Sequence, residues 1–129
     1  MNSYQGSCHC GTVTFEVRAL IENVVRCNCS ICTKKGAVFF KVEPENFTLI
    51  SGKENLSLYQ FNLNIAKHLF CKTCGIYCFH HPRSTPDLMA INANTLDSGF
   101  DLNCIEEVKF DGKSWDTNEL HKIGVTSTT

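Results

Sequence analysis

A chain of 129 residues with a net charge of −1 at pH 7, 43 % hydrophobic and 19 % charged, has room for one modest core and the composition of a folded domain. Near-neutrality leaves it without the concentrated Lys and Arg that a dedicated nucleic-acid binder brings to phosphate, so no nucleic-acid partner is expected. No apolar run approaches the roughly 20 residues that span a bilayer, so no membrane is expected, and Met1-Asn2-Ser3-Tyr4-Gln5 has neither the basic nor the apolar part of a secretion signal. The anomaly is nine cysteines. An odd number without a secretion signal points to a reducing, cytoplasmic setting, where clustered cysteines serve metal binding or catalysis more often than disulfides.

The first cluster is Gly6-Ser7-Cys8-His9-Cys10-Gly11, which runs into Thr12-Val13-Thr14-Phe15-Glu16-Val17. There Val13 and Phe15 alternate with Thr14 and Glu16 as in a half-buried strand. If the backbone is extended at Cys8 and Cys10, both sulfurs share one face and His9 points away. After Val24-Val25 comes the densest stretch, Arg26-Cys27-Asn28-Cys29-Ser30-Ile31-Cys32-Thr33-Lys34-Lys35-Gly36, read as a loop. Its three thiols are one short of the tetrahedral set that Zn²⁺ prefers. Either the fourth position is open, as in catalytic zinc, or His68, His80, His81 or Cys78 closes a second structural site. Lys34-Lys35 is either a solvated pair or a partner for substrate carboxylates.

Strands follow at Ala37 to Val42, Phe47 to Ser51, Leu56 to Phe61 and Ile65 to Phe70, on β-branched, aromatic or alternating patterns bounded by Pro44 and Gly52-Lys53. The last delivers Cys71-Lys72-Thr73-Cys74-Gly75, the zinc-knuckle turn in which two thiolates share a metal and the Gly takes a backbone conformation closed to other residues. With Cys8 and Cys10 it completes a Cys₄ set that ties the N-terminus to the middle of the chain. A redox pair of the thioredoxin type is the rival reading, but the βαβ pattern that accompanies one is absent. Ile76 to His81 and Leu88 to Ala93 read as further strands, with His80-His81 at a surface or serving as acid or base. Cys78 and Cys104 read as small buried hydrophobes, and Tyr59, Phe61 and Trp115 as core or pocket wall. Val108-Lys109-Phe110 with Asp111-Gly112 suggests a closing hairpin around Trp115, and residues 124–129 a frayed tail. With many short strands and no convincing amphipathic helix, the fold class is mainly β and antiparallel, in one domain over residues 1–129.

Taken in order, the segments Gly6 to Gly11, Cys27 to Cys32, Phe70 to Gly75, and Ala90-Ile91-Asn92-Ala93-Asn94-Thr95-Leu96-Asp97 resemble the glutathione-dependent formaldehyde-activating enzyme (GFA) family, which includes the centromere protein V group. The resemblance covers about residues 5–116. It implies an Mss4-like, tent-shaped arrangement of antiparallel sheets and two zinc ions, a structural one on Cys8, Cys10, Cys71 and Cys74 and a catalytic one on Cys27, Cys29 and Cys32. The implied activity is that of a carbon-sulfur lyase, condensing a glutathione-like thiol with formaldehyde. The alternative within the same resemblance is a non-catalytic, zinc-stabilised binding module. Ligand count alone agrees with the first: metal coordination turns a thiol of pKa about 8 to 9 into a thiolate, ready to attack a carbonyl carbon.

Overall fold

The computed structural model describes residues 1–97 and 99–114; Trp115 and the tail expected at 124–129 lie outside them. Among the described residues ten strands form two open sheets. The smaller takes β1 (Asn2–Ser7), β2 (Thr14–Ala19) and β5 (Phe47–Ser51) in the order β1-β2-β5. The larger has seven strands in the order β10-β3-β4-β9-β8-β7-β6. These are β3 (Asn23–Cys27), β4 (Phe39–Val42), β6 (Leu56–Tyr59), β7 (Lys67–Cys71), β8 (Phe79–His81), β9 (Met89–Asn92) and β10 (Glu106–Phe110).

Alternation explains what lies between the sheets. Phe15 and Val17 on β2 are fully buried while Glu16 and Arg18 stay at or near the surface, so one face of the small sheet is apolar. It packs on the large sheet through an aromatic trio: Phe15 and Phe47 stack with ring centroids 5.7 Å apart, and Phe79 of β8 meets Phe47 at 4.8 Å. Burial of side chains this size is each worth about 1.5–3 kcal/mol. Gly6 of β1 lies against the Phe15 ring, where any side chain would collide with it. In β9, Met89 to Asn92 are all buried, as expected of a strand covered on both faces. Asn92 is accommodated there because its side-chain amide donates to the Tyr77 carbonyl at 2.8 Å and its Oδ1 accepts from the Asn94 amide at 3.1 Å.

Several expectations need correction. The triple-cysteine stretch is not simply a loop: Cys27 ends β3, and Ser30–Lys35 forms a short helix, α1, with Cys29 at its N-cap and Gly36 at its C-cap in the left-handed region, φ 64°. Six residues are too few to show helical periodicity. The backbone at Cys8 to Cys10 is a turn and not extended. No hairpin closes the described chain: β10 lies parallel to β3, with Val108 opposite Val25, and covers an outer edge of the large sheet. β1 has no strand signature in the sequence because, as the edge of the small sheet, it needs little apolar patterning. His80 is buried, since β8 runs between β7 and β9. Cys104 is exposed, its thiol donating to Asp101 Oδ2 at 3.2 Å, whereas Cys78 is buried in the core as expected. Among the described residues no helix is long and apolar enough to cross a membrane.

Candidate metal centres and the adjoining cavity

Seven of the nine cysteines gather into two groups, in each of which all sulfurs lie within 4.8 Å of one another. Cys8, Cys10, Cys71 and Cys74 form the first and Cys27, Cys29 and Cys32 the second. Among the described residues Cys78, Cys104, His9, His68, His80 and His81 belong to neither.

The four-sulfur group is made by two turns. Cys8 follows β1, and its amide and that of Gly11 fold the first turn, with Cys8 N–H donating to the Val13 carbonyl at 3.0 Å. Cys71 ends β7, and Gly75, at φ 76°, returns its N–H to the Cys71 carbonyl at 2.8 Å. That φ is the reason a Gly stands after Cys74. Cys8 and Cys10 sulfurs are 3.6 Å apart and those of Cys10 and Cys71 3.7 Å. A disulfide needs about 2.05 Å, while the edge of a tetrahedron with Zn–S bonds of about 2.3 Å is about 3.8 Å. The sulfurs therefore stand at metal-sharing distance. Donors also aim at them: the Val13 N–H reaches Cys8 Sγ at 3.3 Å, and the Asn55 side-chain amide reaches Cys71 Sγ at 3.3 Å. The backbone N–H of Cys74 helps draw the Cys71 thiol down to about 6, and that of Cys10 lowers Cys74.

The three-sulfur group is held differently. Cys27 and Cys32 are buried in a small cluster with Val25, Phe39 and Ala90, and Cys29 is half-buried at the start of α1. The Cys29 amide donates to Cys27 Sγ at 3.4 Å. Hydrogen bonds from Cys27 and Cys32 pull the Cys29 thiol far below its ordinary range, while bonding to Cys27 first and then to Cys29 pushes Cys32 up. Three sulfurs this close carry one negative charge at most unless a cation joins them. A thiophilic divalent ion resolves the conflict, so the donor set fits zinc.

A loop closes one side of this group. Asn28 donates from Nδ2 to Asp111 Oδ1 at 2.9 Å and accepts at Oδ1 from the Lys113 amide at 2.9 Å, strapping the segment after β10 over the cysteines. Gly112 sits in that segment, and a Cβ there would stand 2.5 Å from Cys27 Sγ. Asp111-Gly112 thus serves close approach to sulfur and not a hairpin turn. On the open side lies a cavity of about 270 Å³, whose wall includes all three cysteines, His68, His80, Phe61 and Arg83.

Behind the wall the charges are ordered. Lys34 is exposed, whereas Lys35 turns inward: its Nζ lies 3.1 Å from His68 Nδ1 and 3.9 Å from the centre of the Tyr77 ring. Burial lowers its pKa to about 8, with the sulfurs of Cys32 and Cys29 pulling the other way. Lys41, which no motif announced, is brought to about 8 by the same burial, opposed by Cys27, and donates to Ser84 Oγ at 3.0 Å. His68 and His80 stack with ring centroids 5.3 Å apart, Phe61 stacks on His68 at 5.8 Å, and the Tyr77 hydroxyl lies 2.7 Å from His80 Nδ1. Burial keeps both imidazoles neutral, lowering His68 to about 4 and His80 well below its usual value. Tyr59 stacks on Phe61 outside the cavity wall, half exposed. Arg83 and Gly112 come from separate loops with no motif between them, and only the fold brings both to the cavity wall, Gly112 against Cys27 and Arg83 donating to the Gly112 carbonyl at 3.3 Å.

Comparison with known proteins agrees with this architecture. The profile of the family described as glutathione-dependent formaldehyde-activating enzyme matches residues 3–112. A Halomonas elongata protein that bears the same enzyme name as a provisional designation is 31 % identical over 103 residues, covering 73 % of this chain, and the chain spans 66 % of that relative's length. A crystal structure of a Rhodobacter sphaeroides protein superposes with a TM-score of 0.74 at 40 % identity, over 81 % of this chain and 97 % of that one. With two open sheets of the Mss4-like kind and a family match over residues 3–112, the chain belongs to the glutathione-dependent formaldehyde-activating enzyme family.

Proposed function

We propose that this protein is a zinc-dependent carbon-sulfur lyase, joining or parting a glutathione-like thiol and an aldehyde as in the formation of S-hydroxymethylglutathione. In this reading Cys8, Cys10, Cys71 and Cys74 hold a structural zinc, and Cys27, Cys29 and Cys32 a catalytic one. The observation that carries it is the asymmetry of the two sulfur groups: one has four members, and the other has three and opens on a cavity of about 270 Å³. Zinc held by three thiolates supplies a vacant coordination position and a charge that lowers the pKa of an incoming thiol.

The chain's own residues do the rest. Phe61, Leu63 and Ile65 give the cavity apolar lining, and Arg83 and Lys113 give it cationic groups suited to the carboxylates of a glutathione-like ligand. Lys35 and Lys41 moderate the negative charge of the sulfurs from behind. The test is the visible spectrum of the Co²⁺-substituted protein titrated with glutathione, paired with turnover of Cys29→Ser. The expected result is a thiolate charge-transfer band that grows on titration and a folded variant without turnover. A spectrum that ignores both glutathione and a small non-peptide thiol, or undiminished turnover in Cys29→Ser, would replace the lyase with a zinc-stabilised binding module.

A further inference from the structure

A reaction that makes an alcohol from a carbonyl needs more than an activated sulfur. As the carbon-sulfur bond forms, the carbonyl oxygen gains charge and then a proton, so a donor must face the place where that oxygen develops. The cysteines offer none, because each is committed as a ligand in the reading above. The cavity wall contains two imidazoles, and their hydrogen bonds distinguish them.

His68 is 5 % exposed and His80 3 %, yet both line the cavity. In each ring Nδ1 is already engaged, by Lys35 Nζ at 3.1 Å for His68 and by the Tyr77 hydroxyl at 2.7 Å for His80. A tyrosine hydroxyl either donates or accepts, so it leaves the His80 tautomer undecided. An ammonium has no acceptor. Lys35 must donate to His68 Nδ1, which places the proton of a neutral His68 on Nε2. Among the described residues Nε2 of His68 has no protein partner. The ring is fixed from both sides, by stacking on His80 at 5.3 Å and under Phe61 at 5.8 Å.

Building on the lyase reading, we infer that His68 is a catalytic residue whose Nε2–H binds the carbonyl oxygen of the aldehyde and gives it a proton, with Lys35 as the positioning residue that fixes the tautomer and refills Nδ1. In the condensing direction the sulfur lone pair forms the C–S bond and the C=O π pair moves onto oxygen. The Nε2 proton goes to that oxygen while a proton of Lys35 Nζ moves to Nδ1. When the product leaves, the proton shed by the substrate thiol is taken up at Nε2 while the Nδ1 proton returns to Lys35 Nζ, 3.1 Å away, so the ring regains its Nε2–H form and Lys35 its charge. Cleavage runs the same transfers in reverse as the C–S bond breaks. The neutrality of His68, whose pKa burial and the Lys35 charge lower to about 4, fits a donor of this kind. Lys35 reaches the ring because it lies one helical turn after Cys32 on α1, so the helix that presents a sulfur also aims the imidazole.

Two measurements test this on the zinc-loaded protein. Long-range ¹H–¹⁵N NMR of His68 reads the tautomer without any turnover: the Nε2–H form is expected at pH 7, kept in Lys35→Arg and lost to a mixture in Lys35→Met. An Nδ1–H form in the wild type overturns the inference and leaves the lyase reading standing. In kinetics, His68→Ala is expected to lose about 100-fold or more in kcat for thiol-aldehyde conversion, while the glutathione-dependent cobalt band and the metal content stay as in wild type. His68→Gln, which retains an N–H donor, should recover part of that loss and guards against a folding defect. Full activity in His68→Ala beside an inactive Cys29→Ser would overturn His68 alone. A wild type inactive towards every thiol and aldehyde tried would remove the lyase reading, and the proton-donor role with it.

Discussion

Gly112→Ala is the most direct probe of how the three-sulfur group is built. The new Cβ would lie 2.5 Å from Cys27 Sγ, 3.3 Å from Cys29 Cβ and 3.3 Å from the Phe110 ring. Since non-bonded carbon contacts sit at about 3.5–4.0 Å, the overlap with sulfur exceeds about 1 Å. The segment cannot simply lift away, because Asn28 holds it through Asp111 Oδ1 and the Lys113 amide, each at 2.9 Å. Overpacking of this size costs about 1–3 kcal/mol, or a fall of roughly 3–10 °C in Tm for a chain of this length. The assay is a thermal melt with zinc counted per chain. The expected outcome is a lower Tm with metal lost from the three-sulfur group, and the four-sulfur group still loaded. A double-mutant cycle with Asn28→Ala sharpens it: with the strap cut, the alanine should cost measurably less than in the wild type. A Gly112→Ala protein that melts with the wild type and keeps its full metal content would refute the close packing of this loop on Cys27.

Two further outcomes follow from the same structure. Cys74→Ser is expected to impair folding itself, read as loss of soluble protein or of a cooperative melt, whereas Cys32→Ser keeps the fold and loses metal only from its own group; identical behaviour of the two would overturn the division between them. For pH, the folded pKa of His68, about 4, lies below the ordinary 6.5, so the unfolded chain binds a proton that the folded chain refuses. Stability from this group is complete above about pH 6.5 and declines as pH falls towards 4. The loss amounts to about 2 kcal/mol by pH 5. Comparing melts of wild type and His68→Gln at pH 7 and pH 5 isolates it, since metal release is common to both, and parallel losses would contradict the buried neutral ring.

What the sequence made legible was whatever depends on spacing along the chain. Cys71-x-x-Cys74-Gly75 carries its own turn chemistry and Cys8-x-Cys10 offers the matching pair of thiols, so their meeting could be read from residue types, although the turn at Cys8 to Cys10 could not. The strands of the core showed in the same way, through Val13, Phe15 and Val17 or the apolar run ending at Val42. What stayed hidden depends on where distant segments land. Lys41, Arg83 and Gly112 come from three places with no motif between them. Lys34 and Lys35 look equivalent as a pair, yet helical geometry sends one to solvent and the other beneath the cavity. His80 read as a surface residue because a two-histidine run is polar, and its burial follows from the place of β8 between two other strands and from the Tyr77 hydroxyl that satisfies Nδ1.

The same physics bears on the division of work proposed for the two cysteine groups. Cys10 and Cys71, 61 residues apart in sequence, sit 3.7 Å apart in space. Cross-linking them through a metal removes about 4 kcal/mol of chain entropy from the unfolded state, if the estimate for disulfides carries over. It also fastens the end of β1 in the small sheet to the end of β7 in the large one, beside the aromatic trio that joins the two sheets. Cys27 and Cys32 close a loop of only about five residues, worth about 2 kcal/mol on the same scale, and they do so within one strand-to-helix corner that other contacts already hold. A metal there adds less to the fold, and its absence costs the fold less. That is the condition under which a site can leave one position to an exchanging ligand: in the proposed reading the long-range group would hold the sheets together, and the short-range group could bind and release a substrate sulfur without loosening the domain.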